Sequence, residues 1–344
     1  MFRTNTSIDY SLLLIVSTGK KSFTALGKII EKSSDTIRRL VNPSKMNFEL
    51  LEAVAEDTFK NKKKLVLSLD YTLLRKLYSK SMEGVCEFFD TKMGKMINAY
   101  NALIAGLTDG KYFIPIRSGL VFSKKVLSNA NELRNEMVKN IIQETIQKFK
   151  DKIITVAVDG AFATKEFLLW ATVNKVRVEV RMHSNRKVLY KGERIKISEI
   201  SDLQVKGRHM ARTIQVEWHD IVLFITAERR IDKHGEESIV YLASTYEAKP
   251  SEHVRNYDKR WSIEKFNRTS KQNLGLQDCF STKLEVQENH LSSVLIAYAI
   301  VQIQMKKFKK LTPEDTIRYL KENDFDFLKQ RILATDQIFS NAYA

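Results

Sequence analysis

The chain has 344 residues, with 57 lysines and arginines against 41 acids and a net charge of +16, giving a pI of about 9.6. A 43% hydrophobic content supports a true core and two or three domains, and no low-complexity segment or internal repeat interrupts it. The charge points to a polyanionic partner, most simply nucleic acid, with a lysine-rich proteome as the bland alternative.

The two cysteines, Cys86 and Cys279, form no CxxC pair and no zinc pattern, so they read as buried thiols in a reducing compartment. The apolar run Leu12–Val16 is too short for a signal-peptide core and lacks a small-residue cleavage site. Leu291–Met305 is interrupted or flanked by His290, Ser292, Ser293, Gln302 and Gln304. It falls short of the ~20 apolar residues that span a bilayer, and reads as a buried C-terminal helix. A soluble cytoplasmic protein with no membrane partner is expected.

Residues 1–60 look helical and separate from the rest of the chain. Phe23–Glu31 is amphipathic, Ser33-Ser34-Asp35 is a cap-rich turn, and Thr36–Val41 restarts a helix before Pro43 stops it. Helix, short turn, helix is the pattern of a helix-turn-helix, with Ile37, Leu40 and Val41 inward and Thr36, Arg38 and Arg39 outward toward DNA. An ordinary helical hairpin with exposed arginines is the competing reading.

Next, Leu65–Asp70 reads as a buried strand with Asp70 at or near its end. Val85–Thr91 and Met96–Leu107 look like two further strands joined through Gly94 and closed by Thr108-Asp109-Gly110. Ser128–Lys150 has helical periodicity, with Leu133, Met137, Ile141, Ile142 and Ile146 on one side. Ile153–Val158 is another apolar strand ending in an acid, Asp159; Phe162–Asn174 is a helix, and Val176–Met182 alternates as a strand. Strand, strand, strand, helix, strand, helix, strand is the order of the ribonuclease H-like α/β fold. From Lys187 to Thr245 the pattern is mostly β, clearest at Thr213–Glu217, Ile221–Ala227 and Ser238–Ser244. After Lys310 the tail is helical and charged, with Thr312-Pro313-Glu314 as a helix start.

The densest chemical signal is Tyr257, Arg260, Glu264 and Lys271, at offsets of 3, 7 and 14. At about 100° per residue these fall within an arc of about 60° over about 21 Å of one helix. One acid then stands in a row of phosphate-binding groups. With Asp70 and Asp159 it makes three carboxylates from two neighbouring strands and a facing helix. Hard divalent cations prefer such oxygen ligands, and two of them about 4 Å apart suit an in-line displacement at phosphorus. Arg260 can grip a phosphate through its planar fork, Tyr257 can donate a hydroxyl hydrogen bond, and Lys271 adds a point charge. Trp261, close beside that face, could stack on an unpaired or flipped base or pack in the core. Taken singly, each strand acid could be a loop cap, and Arg260–Glu264 an ordinary i, i+4 ion pair. His183, His209, His219 and His234 show no ligand spacing. Arg177, Arg181, Arg186, Lys187, Lys191, Arg194 and Lys196 form a dense basic run that could line DNA backbone or simply be solvated.

Tyr257, Arg260, Glu264 and Lys271 match every position of Tyr-x2-Arg-x3-Glu-x6-Lys, and the chain here resembles the bacterial insertion-sequence DDE transposases of the insertion sequence four group. Leu67–Asp70 resembles the first-aspartate block of those enzymes and Val158–Phe162 the second; the resemblance covers roughly residues 62–285. It implies a ribonuclease H-like DDE core at 61–184 and 250–285 with a β-rich insertion at 185–249; the helical N-terminal DNA-binding region at 1–60 and the helical C-terminal region at 286–344 rest on the sequence pattern, and residues 1–60 match the family less clearly. It further implies that Asp70, Asp159 and Glu264 bind two magnesium or manganese ions. Transposon ends would be cut and joined to target DNA, with Tyr257, Arg260 and Lys271 holding phosphate near the cut end. Double-stranded DNA with terminal inverted repeats would be the partner, bound by a homodimer in the bacterial nucleoid; the apolar content of the helices from Val286 onward, rather than the resemblance, marks them as a candidate interface. An inactive or domesticated DNA-binding relative, or another ribonuclease H-like nuclease or resolvase, is the alternative.

Overall fold

The computed structural model describes residues 6–41, 46–79, 81–123, 126–205, 211–232, 234–309 and 312–343. Pro43 and His209 lie outside them. Four helices open the chain: α1 (Thr6–Val16), α2 (Phe23–Ile29), α3 (Ser34–Leu40) and α4 (Met46–Thr58). Ser22 and Ser33 cap α2 and α3 by accepting from the backbone N–H three residues on. Ile37 and Val41 are buried as the pattern predicts, Leu40 is only half-buried, and Arg38 and Arg39 are exposed. The two short helices pack against each other and on α1.

The mixed α/β centre comes next: β1 (Lys64–Arg75), β2 (Cys86–Asp90), β3 (Lys95–Thr108), β4 (Phe113–Val121), α5 (Ala130–Lys148), β5 (Ile153–Val158), α6 (Lys165–Val173) and β6 (Arg177–Met182). Leu65, Val66, Leu67 and Leu69 are all buried, the mark of a strand covered on both faces. Its neighbours are β3, antiparallel, and β5, parallel; β5 in turn pairs β6 in parallel, and β4 pairs the outer side of β3. The order β4-β3-β1-β5-β6 therefore spans the centre, with β2 pairing β3 beyond the end of β4.

Four details differ from the sequence reading. First, 113–121 is a strand although its period is broken by Pro115 and Gly119, residues depleted from strands. Pro115 sits at a register shift opposite Gly106, where a β-bulge removes the need for its missing N–H. Gly106 itself is required, because a Cβ there would lie 2.3 Å from the Phe113 ring. Second, β1 does not end at Asp70. It runs on to Arg75 because β3 continues the ladder on one side after β5 has stopped on the other. Third, the residues after Asp159 first form a 3-10 turn, Gly160–Phe162, so α6 begins only at Lys165. Fourth, Leu133 on α5 is exposed, and the buried stripe is Ala130, Val138, Ile141, Ile142 and Thr145.

Strands β7 (Lys187–Tyr190), β8 (Glu193–Lys196), β9 (Ala211–Trp218), β10 (Ile221–Ile231) and β11 (Glu237–Ser244) complete the β-rich stretch. They extend the same sheet, since β11 pairs β6 antiparallel from Tyr241↔Met182 to Ser244↔Glu179. Helices α7 (Pro250–Asp258), α8 (Trp261–Asn273), α9 (Leu284–Lys307), α10 (Pro313–Leu320), α11 (Phe325–Thr335) and α12 (Gln337–Tyr343) close the chain. Pro250 stands in the first turn of α7, where its missing N–H costs nothing. As expected, α9 is buried on every side over 289–305, packed on β4, α1, α4 and α8. Among the described residues no helix is long and apolar enough to cross a membrane.

Candidate active site

The site begins with the register of two parallel strands. Ser68 of β1 stands opposite Ala157 of β5. Two residues further along each strand are Asp70 and Asp159, on the same face of the sheet, and neighbouring strands lie ~4.8 Å apart. Asp159 leaves β5 extended and accepts from the Ala161 N–H at 2.9 Å, which fixes its carboxylate at the head of the 3-10 turn. Phe162 of that turn stacks on Tyr71, the residue after Asp70, at 5.2 Å between ring centres. Backbone register and ring stacking thus both tie one acid to the other.

The third acid arrives on α8, which packs on β1. Asn267 donates from Nδ2 to Asp70 Oδ2 at 2.9 Å, and Glu264 lies one turn earlier on the same helix. The expected single helix over Tyr257–Lys271 is two helices. At Lys259 and Arg260 the ladder tightens to i→i+3, Arg260 N–H to Tyr257 O and Ile263 N–H to Arg260 O, and α7 gives way to α8. In consequence Tyr257 is buried, at 7% exposure. Arg260 lies 5.6 Å from its ring centre and pairs with the Glu264 carboxylate.

A groove of about 510 Å³ opens beside Asp70 and Glu264, lined also by Arg75, Lys92, Asn267 and Lys271; Asp159, Tyr257 and Arg260 lie outside its lining. Its charges are incompletely compensated. Burial, followed by repulsion from Asp159, pushes the Asp70 carboxyl up to about 6; Arg260 opposes this and Glu264 adds to it. Burial, with Lys92 and Arg75 nearby, pushes Lys271 down to about 8.

Among the described residues, no group of three His, Cys, Asp or Glu side chains is arranged to hold a metal ion by itself. Each acid is engaged locally: Glu264 by Arg260, Asp70 by Asn267, Asp159 by its own turn. The donor set nevertheless fits a hard divalent cation. All three groups are carboxylates, their mutual repulsion calls for positive charge, and magnesium takes few protein ligands and completes its shell with water and phosphate.

The remaining residues singled out in the sequence lie elsewhere. Trp261 is 54% exposed, so it is no core residue. It faces a separate cavity of about 900 Å³, shared with Lys249, Arg255, Lys259 and Lys265. Thr36, Arg38 and Arg39 are on α3 or its first turn, outside the lining of the acid groove; Arg38 pairs with Asp35 at 3.6 Å. Part of the basic run is neutralised locally, Lys191 by Asp202, Lys196 by Glu199 and Arg177 by Glu252.

Sequence reasoning missed Asn267, and it missed the groove wall formed by Arg75, Asp90 and Lys92. Asn267 was findable, since it lies three residues after Glu264 and therefore on the same helix face. The wall was not, because the extension of β1 that carries Arg75 exists only through pairing with β3.

A family model described as a transposase DDE domain matches residues 111–300. The matched span is more than half of the chain; it contains Asp159 and Glu264 and starts after Asp70. No curated protein matches the chain.

Proposed function

Because the chain belongs to the transposases with a DDE domain, we propose that it cuts DNA at the ends of a mobile element and joins those ends to target DNA by a cut-and-paste route. Within that family we assign it to the insertion sequence four group, on a ribonuclease H-like core. The observation that carries the reading is the β1–β5 register, whose last pair, Ser68↔Ala157, stands two residues before Asp70 and Asp159, with the helix that bears Glu264 packed on β1. The spacing of Tyr257, Arg260, Glu264 and Lys271 supports the group. The strand order β4-β3-β1-β5-β6 supports the core.

Asp70, Asp159 and Glu264 would hold two magnesium or manganese ions, which when bound supply charge to the attacking and leaving oxygens of an in-line displacement. In cleavage, a water oxygen forms a bond to phosphorus while the 3′-oxygen at the element's end leaves as a hydroxyl. In joining, that hydroxyl oxygen attacks a target phosphate and the target's own 3′-oxygen departs. Arg260 would turn its guanidinium to the phosphate while its contacts with Glu264 and Tyr257 aim it. Tyr257, buried beneath Arg260, would add a hydroxyl donor and Lys271 a cation further along the groove. Trp261, exposed beside four basic residues, would stack on a base displaced from the duplex. Thr36, Arg38 and Arg39 would contact terminal inverted repeats, within a homodimer that pairs the two ends in the nucleoid.

The test is cleavage of a duplex carrying the DNA that flanks the gene, with magnesium. The parent protein should cut it, and Asp159→Asn should lose at least about a thousandfold in rate, ~4 kcal/mol of transition-state stabilisation. Equal rates would sink the assignment.

A further inference from the structure

The acid groove continues past the catalytic carboxylates to a wall that cleavage and joining leave unused. That wall is the turn between β2 and β3 together with the end of β1. One carboxylate organises it. Asp90 Oδ2 accepts from Arg75 Nε at 2.6 Å, and Asp90 Oδ1 accepts from the backbone N–H groups of Lys92 and Met93 at 2.9 and 3.2 Å. Gly94 closes the turn at φ +64°, its N–H donating to Asp90 O at 2.8 Å. Asp90 is itself 4% exposed.

The consequence is a set of aimed cations. Arg75 is anchored through Nε, and among the described residues its terminal nitrogens make no hydrogen bond. Lys92 and Lys271 form no ion pair among the described residues, although both line the groove with Arg75. Three cations so placed repel one another; burial first, then Lys92 and Arg75, lowers the proton affinity of Lys271. An anion entering between them would relieve it. From Glu264 to Lys271 is seven residues, about 10 Å of helix, or about three 3.4 Å rises of a DNA strand.

We infer that Arg75 and Lys92, held in place by Asp90, complete with Lys271 a second phosphate subsite, which takes a DNA phosphate about three nucleotides from the reacting one. This rests on the reading that the acids act on DNA in the same groove. Arg75 and Lys92 touch the phosphate; Asp90 is a positioning residue.

The probe is a fluorescent duplex carrying the element's end, titrated with salt in the presence of a chelator. For Lys92→Ala the slope of log affinity against log salt should flatten by about one, so that affinity at 0.1 M salt falls about eightfold. An exposed lysine outside every described cavity, Lys150→Ala, serves as the control for bulk charge. Asp90→Ala removes a negative charge from a DNA groove, which bulk electrostatics alone would turn into tighter binding. The subsite requires weaker binding instead, with the fold checked by circular dichroism. Lys92→Ala should also cost less in a Lys271→Ala background than in the parent, since both grip one phosphate. An unchanged Lys92→Ala slope, additive losses, or tighter binding by Asp90→Ala would each overturn the subsite. Cleavage by the parent with magnesium is scored separately. A parent that binds but never cuts defeats the catalytic reading, while the slopes still decide the subsite.

Discussion

Two carboxylates on neighbouring strands of one sheet are treated in opposite ways. Asp159 stands at the end of β5, and Glu179 lies on β6 opposite Ala157, two residues before Asp159 and on the same face. Glu179 is fully buried and fully answered: Tyr246 and Ser244 donate hydroxyls to it, and His253 of α7 lies 2.7 Å from it through Nδ1. Arg177 covers the Tyr246 ring at 3.6 Å. One strand away, Asp70 and Asp159 face each other and Glu264 with only local partners. The seam around Glu179 is built to hold α7 on the sheet. The groove beside it carries charge that the protein leaves for something else to complete. A buried acid is thus read by its donors, and a deficit of donors is the mark of function.

Exchanging the roles of these acids gives the strongest test of that contrast. Asp159→Asn should remove cleavage while leaving the denaturation midpoint near that of the parent. Glu179→Ala should do the reverse in kind. It strands the fully buried His253 without its carboxylate, and breaking such a buried pair costs about 3–5 kcal/mol, read as a lower denaturant midpoint. Glu179→Gln keeps a hydrogen-bonding group and should cost less, about 1–3 kcal/mol. Equal midpoints for Glu179→Ala and the parent would show that the seam contributes nothing to stability.

Asp70 sharpens the same comparison with the opposite sign. Its folded-state value near 6 lies above the ordinary 3.8. Between those values the folded protein binds more protons than the unfolded chain, so this contribution to stability is present below about pH 4 and lost as pH rises through about 6. At neutral pH the ionised carboxylate is a burden. Asp70→Asn should therefore raise stability at pH 7 by about 1–3 kcal/mol, with the gain vanishing at pH 4, while abolishing cleavage. Magnesium should stabilise the parent at neutral pH and leave Asp70→Asn unmoved. Loss of stability in Asp70→Asn at pH 7 would show that its charge is satisfied within the protein.

Much of this arrangement is legible in the sequence where a local pattern sets it. The apolar runs ending at Asp70 and Asp159 and the continuous burial of α9 come from periodicity and length. The helix split at Lys259–Arg260 is invisible there, because residues on either side keep a helical pattern and only the hydrogen-bond ladder changes. Strand β4 is hidden by Pro115 and Gly119, whose places depend on a bulge and on the Phe113 ring. The Glu179 seam was equally hidden. Its members Glu179, Ser244, Tyr246 and His253 come from β6, β11, the turn into α7 and α7 itself, and the β6–β11 pairing sets Ser244 beside Glu179. The groove wall has the same origin. Long-range pairing, rather than propensity, decides what stands beside the acids.

The smallest effect concerns Lys271, whose proton is held less tightly than an exposed lysine's. Burial together with Lys92 and Arg75 brings it down to about 8. Since its folded value lies below the ordinary 10.5, it is the unfolded chain that holds more protons between about pH 8 and 10.5, and this lysine's burden on stability eases as pH rises through that window. Binding has the reverse dependence. A phosphate needs the ammonium form, so DNA affinity measured in a chelator should weaken as pH rises from 7 to 9, beyond the decline seen with Lys271→Ala. That variant should itself flatten the salt slope by about one. Parallel pH curves for parent and variant would show that Lys271 keeps its proton throughout, and that the groove's positive charge is less crowded than its geometry implies.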